Sequence, residues 1–98
     1  MISKIHHKDG RSVMTLCDNE LIGKTFEEGE RRLDLSSPFY DGKEITKDYA
    51  KRFVVTVSSI NAVGEESVNF LINENLADKN DVMRVQNIPH VQVTRLEP

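Results

Sequence analysis

The amino-acid sequence predicts an α+β fold of two layers, a mostly antiparallel sheet with two main helices on one face. Three observations carry that expectation. An Asp-Gly pair, Asp9-Gly10, separates two strand-like runs at the start. Two later stretches, opening near Lys47 and at Gly64, space apolar residues as a helix does, and the chain closes on β-branched runs. At 98 residues the chain has room for one core, so a single domain over 1–98 is expected.

The first hairpin comprises Ile2 to His7 and Ser12 to Cys17. Asp-Gly suits a type I′ turn, whose two central residues both need positive φ. In the second run Val13, Thr15 and Cys17 alternate with Met14 and Leu16. Neither face is strongly polar, which predicts a central strand. Asp18 is expected to cap a short turn through Ile22, stopped by Gly23. Lys24 to Phe26 reads as extended, and the charged run Glu27 to Arg32 around Gly29 as a solvated turn leading to Leu33-Asp34-Leu35. Ser36-Ser37-Pro38 ends that segment, and Phe39 to Gly42 offers a further turn.

Thr46 is a natural N-cap for a helix from Lys47, with Asp48 in its first turn and Ile45, Tyr49, Ala50 and Phe53 as its buried stripe. The β-branched run from Val54 predicts that this helix fails between Phe53 and Val57. Gly64 opens the second helix, with Glu65 and Glu66 in the first turn and Val68, Leu71, Ile72 and Leu76 along one side. Val82 to Val85 and Val91 to Leu96 are expected strands around a Gln86 to His90 turn, where Pro89 cannot donate into a ladder.

With 38% hydrophobic and 30% charged residues, the composition is that of an ordinary globular domain. A formal net charge of −3 gives no general attraction to a polyanion or an anionic membrane, so such binding would require a local basic patch. The lone Cys17 cannot form an intramolecular disulfide, and the N-terminal segment has no apolar stretch of signal-peptide length. A cytoplasmic location without membrane contact is the corresponding expectation.

The order of short motifs resembles the archaeal domain-of-unknown-function family numbered 424. It rests on Cys17-Asp18, Leu21-Ile22-Gly23-Lys24-Thr25-Phe26, Asn61-Ala62-Val63-Gly64-Glu65 and Ile88-Pro89-His90-Val91-Gln92-Val93, and it spans essentially the whole chain. The resemblance implies an α+β domain and an association with the archaeal translation apparatus. It assigns no activity, cofactor or functional residue.

Several chemistries fail on named residues. Gly23-Lys24-Thr25 invites a phosphate-loop reading, but the glycine required five positions before Gly23 is Asp18. His6, His7, His90 and Cys17 include zinc-ligand types, yet adjacent histidines on a strand face opposite sides and no preorganising pair is present. No metal or cofactor is therefore expected. Glu65 and Glu66 already occupy the positive end of the second helix, which disfavours an anion there. Catalysis has candidate side chains in Cys17, His90, Ser58, Ser59 and Asp18, but no diagnostic order.

What remains is an end-weighted polar set: Lys4, His6, Lys8 and Arg11 in the first hairpin, with Arg84, His90, Gln92 and Arg95 in the last strands. Together they predict a modest basic face if the terminal strands share a sheet. His90 behind Pro89 would then be a stiffly presented imidazole. The expected function is a non-enzymatic binding module whose partner is RNA or a translation-apparatus protein. The alternative is a small oligomeric enzyme using Cys17 or His90 in a shared cleft, and oligomeric state is left open.

Overall fold

A computed structural model describes residues 1–95. Its first element confirms the local chemistry of the Asp-Gly turn. Strands β1 (Ile2–Lys8) and β2 (Arg11–Cys17) pair antiparallel from Ile2↔Cys17 to Lys8↔Arg11. Asp9 and Gly10 both take positive φ, 53° and 76°, as a type I′ turn requires. β2 is central, as its two-sided apolar pattern predicts.

The six-stranded sheet also contains β5 (Lys43–Glu44), β6 (Ser59–Val63), β7 (Met83–Val85) and β8 (Ile88–Thr94), in the order β5-β1-β2-β6-β8-β7. β2 and β6 are parallel, and the other neighbours are antiparallel. Helices α1 (Lys47–Val54) and α2 (Glu65–Asn73) lie on one face. There Ala50, Val54, Val68 and Leu71 pack with Met14, Leu16, Ile60, Ala62 and Val91. The architecture is thus α+β, with a mostly antiparallel sheet and both helices on the same side.

Thr46 caps α1 as expected, its hydroxyl accepting from the Tyr49 N–H at 3.1 Å. α1 ends at Val54, and Val57 is buried in the core without joining a strand. Tyr49 departs from its expected place: it is 45% exposed, while Val54 takes the inward position. α1 is only eight residues long, so its buried stripe is narrow and Tyr49 falls at its margin.

The opposite face carries a hairpin absent from the sequence expectation. Strands β3 (Thr25–Glu28) and β4 (Arg31–Asp34) form a second, two-stranded sheet. The charged run is therefore mostly strand, with only Gly29-Glu30 left as its turn. Glu27 stands opposite Arg32, whose Nε lies 3.5 Å from the carboxylate. Phe26 and Leu33, also paired, turn inward to Cys17, Leu21, Leu35, Val63 and Val85. The two four-residue strands turn one apolar residue each inward, too few for alternation to be visible in the sequence.

The C-terminal turn is also shorter than predicted. Gln86 and Asn87 alone form it, both at positive φ, 48° and 65°, and Ile88, Pro89 and His90 belong to β8. Pro89 fits because Arg84↔Pro89 follows the closing pair Val85↔Ile88. Alternation turns its missing donor away from β7, toward the side where its carbonyl accepts from Gly64 N–H at 2.8 Å. The expected end of the last strand at Leu96 lies outside the described residues. Among the described residues no helix is long and apolar enough to cross a membrane.

Candidate functional site

Register decides which of the predicted polar residues meet. Lys4 and Thr15, Thr15 and Asn61, and Asn61 and Gln92 are direct partners, so they form one row across β1, β2, β6 and β8. His6, Val13, Ser59 and Thr94 form the next row, and Lys8 with Arg11 a third. Direct partners share a face, so Lys4, His6, Lys8, Arg11 and Gln92 lie on the face opposite the helices. Lys4, Lys8, Arg11 and Gln92 are exposed. The β3–β4 hairpin covers the other end of this face, over Cys17 and Val63.

His6 is half-buried and anchored: its ring stacks on Phe39 with centroids 4.5 Å apart, and Nε2 lies 2.9 Å from the Phe39 carbonyl. His6, Lys8, Asp9, Arg11 and Val13 line a cavity of about 510 Å³ at the hairpin tip. Among the described residues, Lys4, Lys8 and Arg11 make no ion pair, whereas Arg32, Lys51 and Arg84 do. The patch thus carries three cations without an ion pair among the described residues, with Asp9 beside Lys8 and Arg11 at the hairpin tip. Asn61, Ser59 and Thr94 complete its polar surface; only register, which the sequence does not display, links them.

Of the remaining candidates, His90 shares this face at its hairpin-covered end, whereas the two arginines stand elsewhere. Arg84 shares the parity of Pro89 and so points to the helix side, where its Nη1 lies 2.9 Å from a Glu65 carboxylate oxygen. Arg95 is half-buried, its N–H donating to the Ser58 carbonyl at 3.0 Å. His90 is not on a turn: it sits within β8 between Val63 and Met83, half-buried. Burial, assisted by the Arg31 charge, lowers its pKa below the usual histidine value. Neutral His90 is therefore the form the fold favours, and its contribution to stability is fully present above the unfolded value of ~6.5 and is lost as pH falls from there through the lower folded pKa. NMR titration is expected to place the His90 midpoint below that of an unfolded histidine, and Arg31→Ala to raise it.

Cys17 is fully buried. Desolvation first, then the nearby Asp18 and Glu20 charges, push its thiol up to about 12. A thiol so placed supplies no thiolate at neutral pH. A thiol reagent is expected to leave Cys17 unmodified in the folded protein and to label it fully in denaturant; rapid native labelling would contradict this placement. Among the described residues no group of three or more His, Cys, Asp or Glu side chains is arranged to hold a metal ion.

Asp18 has an unpredicted role. Its side chain makes no cap to the turn that follows it. Instead the buried carboxylate reaches α2, accepting from Glu66 N–H at 3.0 Å, Ser67 N–H at 2.8 Å and the Ser67 hydroxyl at 2.8 Å. The helix N-terminus is thereby satisfied by a charge from within the protein. Gly64 makes room for it: a Cβ there would collide with the Asp18 carboxylate.

Comparison with known proteins agrees with this architecture. A family model described as "Protein of unknown function (DUF424)" matches residues 6–96. A crystal structure of an uncharacterized conserved protein from Methanopyrus kandleri is similar at 30% identity and a TM-score of 0.81, covering 99% of this chain and 94% of that one. No curated protein matches the sequence.

Proposed function

The chain belongs to the DUF424 family, whose description assigns no activity, and from that premise we propose that it is a non-enzymatic binding module of the cytoplasm that docks on RNA of the translation apparatus. One observation carries this reading: Lys4, Lys8 and Arg11 share the sheet face opposite the helices, around the His6–Phe39 stack, and make no ion pair among the described residues. Phosphate contacts need such cations, and a local cluster overrides a net charge of −3 at distances within the Debye length. Asn61, Gln92, Ser59 and Thr94 beside them supply hydrogen-bonding groups suited to sugar and base edges.

The test is retention of a single-stranded RNA 20-mer across a salt series. With three phosphate contacts, log affinity is expected to fall with log salt at a slope of about −2. Arg11→Glu and Lys8→Glu should each weaken binding by about tenfold or more. Failure to bind RNA, or to sediment with ribosomal particles, at low salt would sink the proposal.

A further inference from the structure

We propose that the outer edge of β1, beyond the end of β5, takes an extended segment of a partner protein as an added strand, one alternating acidic and apolar side chains. β5 pairs only with Ile2 and Ser3, whereas β1 continues to Lys8. Lys8↔Arg11 closes the two-residue hairpin, so alternation turns the backbone of Lys4, His6 and Lys8 toward β2 and that of Ile5 and His7 outward. The Met1 carbonyl, which accepts from Ile45 N–H at 2.8 Å on the β5 side, has the same outward parity. Two N–H and two C=O groups thus stand along an edge to which no described strand pairs, a template for strand addition.

The surroundings specify the occupant. Ile5, Ile45 and Tyr49 line a cavity of about 700 Å³ beside this edge. Tyr49 is 45% exposed and held against Phe53 with ring centroids 4.5 Å apart, which presents an apolar wall. A strand in this lane would set alternate side chains over that wall. Its other side chains would fall on the opposite face, beside Lys4 and Lys8, which have no ion-pair partner among the described residues. Opposite charges across strands stabilise pairing, so those positions call for carboxylates. Lys43 and Glu44 lie at the β5 end, where the lane is already filled, and Asp41 borders its opening with Lys4 and Ile5.

The same charges disfavour a second copy. Antiparallel pairing of two β1 edges about His6 would set Lys4 of each chain opposite Lys8 of the other, and like charges in register oppose pairing. The proposal does not rest on RNA binding. The two surfaces share Lys4 and Lys8, but Tyr49 lies on the helix side, so Tyr49→Ala tests the strand site alone.

The probe is a synthetic octapeptide of alternating glutamate and valine, titrated into the full chain and followed by backbone amide NMR. Saturable binding centred on Ile5 and His7 is expected, about tenfold tighter than for the lysine–valine counterpart. His7→Pro removes one outward donor and leaves the inward ladder intact. It and Tyr49→Ala should each weaken binding by about tenfold. Should His7→Pro fail to fold, Tyr49→Ala decides. Absence of saturable binding, equal affinity for the lysine peptide, or indifference to Tyr49→Ala would overturn the proposal. So would a concentration-dependent dimer that occupies this edge, or RNA binding that is lost in Tyr49→Ala. Failure of the chain to bind RNA leaves the peptide result untouched.

Discussion

Asp18→Ala is expected to destabilise the protein by about 3 kcal/mol, a large share of the ~5–15 kcal/mol that holds a domain of this kind together. The carboxylate is 3% exposed and accepts three hydrogen bonds from the first turn of α2. Hydrogen bonds to a charged group contribute about 1.5–3 kcal/mol each, and their loss would leave two backbone N–H groups of a buried helix end unsatisfied. The favourable field of an anion at that end is lost as well. Asp18→Asn should fare little better, since its amide group would face donors with a donor. Urea unfolding measures the effect. A loss below about 1 kcal/mol would mean that water replaces the carboxylate without difficulty.

Gly64→Ala is expected to cost about 3–5 kcal/mol, through two separate causes. Gly64 adopts φ 105°, a conformation that residues with a Cβ rarely take. The added methyl would also be driven into the Asp18 carboxylate, a group fixed by its own hydrogen bonds. The two residues are therefore coupled, which gives a sharper test than either single change. In an Asp18→Ala background the collision is relieved, so Gly64→Ala should cost at least about 1 kcal/mol less than in the parent. Strict additivity would show that backbone strain alone makes glycine necessary.

Both residues were visible in the sequence, Asp18 after the second strand and Gly64 before the second helix, but not their meeting. Asp18 is followed by a turn, and a local cap was the natural expectation. Its partner is 48 residues away, at Glu66. β2 and β6 run parallel side by side, so Cys17 lies beside Val63 and the following residues, Asp18 and Gly64, come together. The basic face behaves similarly. Lys4, Lys8 and Arg11 are close through the hairpin and so were legible, whereas Asn61 joins them only through the β2–β6 register. Arg84 and Arg95, near the others in composition, fall away because strand parity and the Glu65 ion pair place them elsewhere.

The sequence by itself determined features set by contacts within a few residues. These are the Asp9-Gly10 turn, the Thr46 cap, the start of α2 at Gly64 and the two-sided apolar pattern of β2. Backbone sterics and neighbouring side chains suffice for each, and all recur in the structure. Tertiary structure alone decided what depends on register and on burial by distant segments. It turned the charged run into a hairpin over Cys17, placed His90 inside a strand, left Tyr49 exposed and bound Asp18 to α2. The physical reason is range. Turn and cap energies act between neighbours along the chain, whereas strand pairing and the desolvation of Asp18 and Cys17 depend on residues brought together only when the sheet closes.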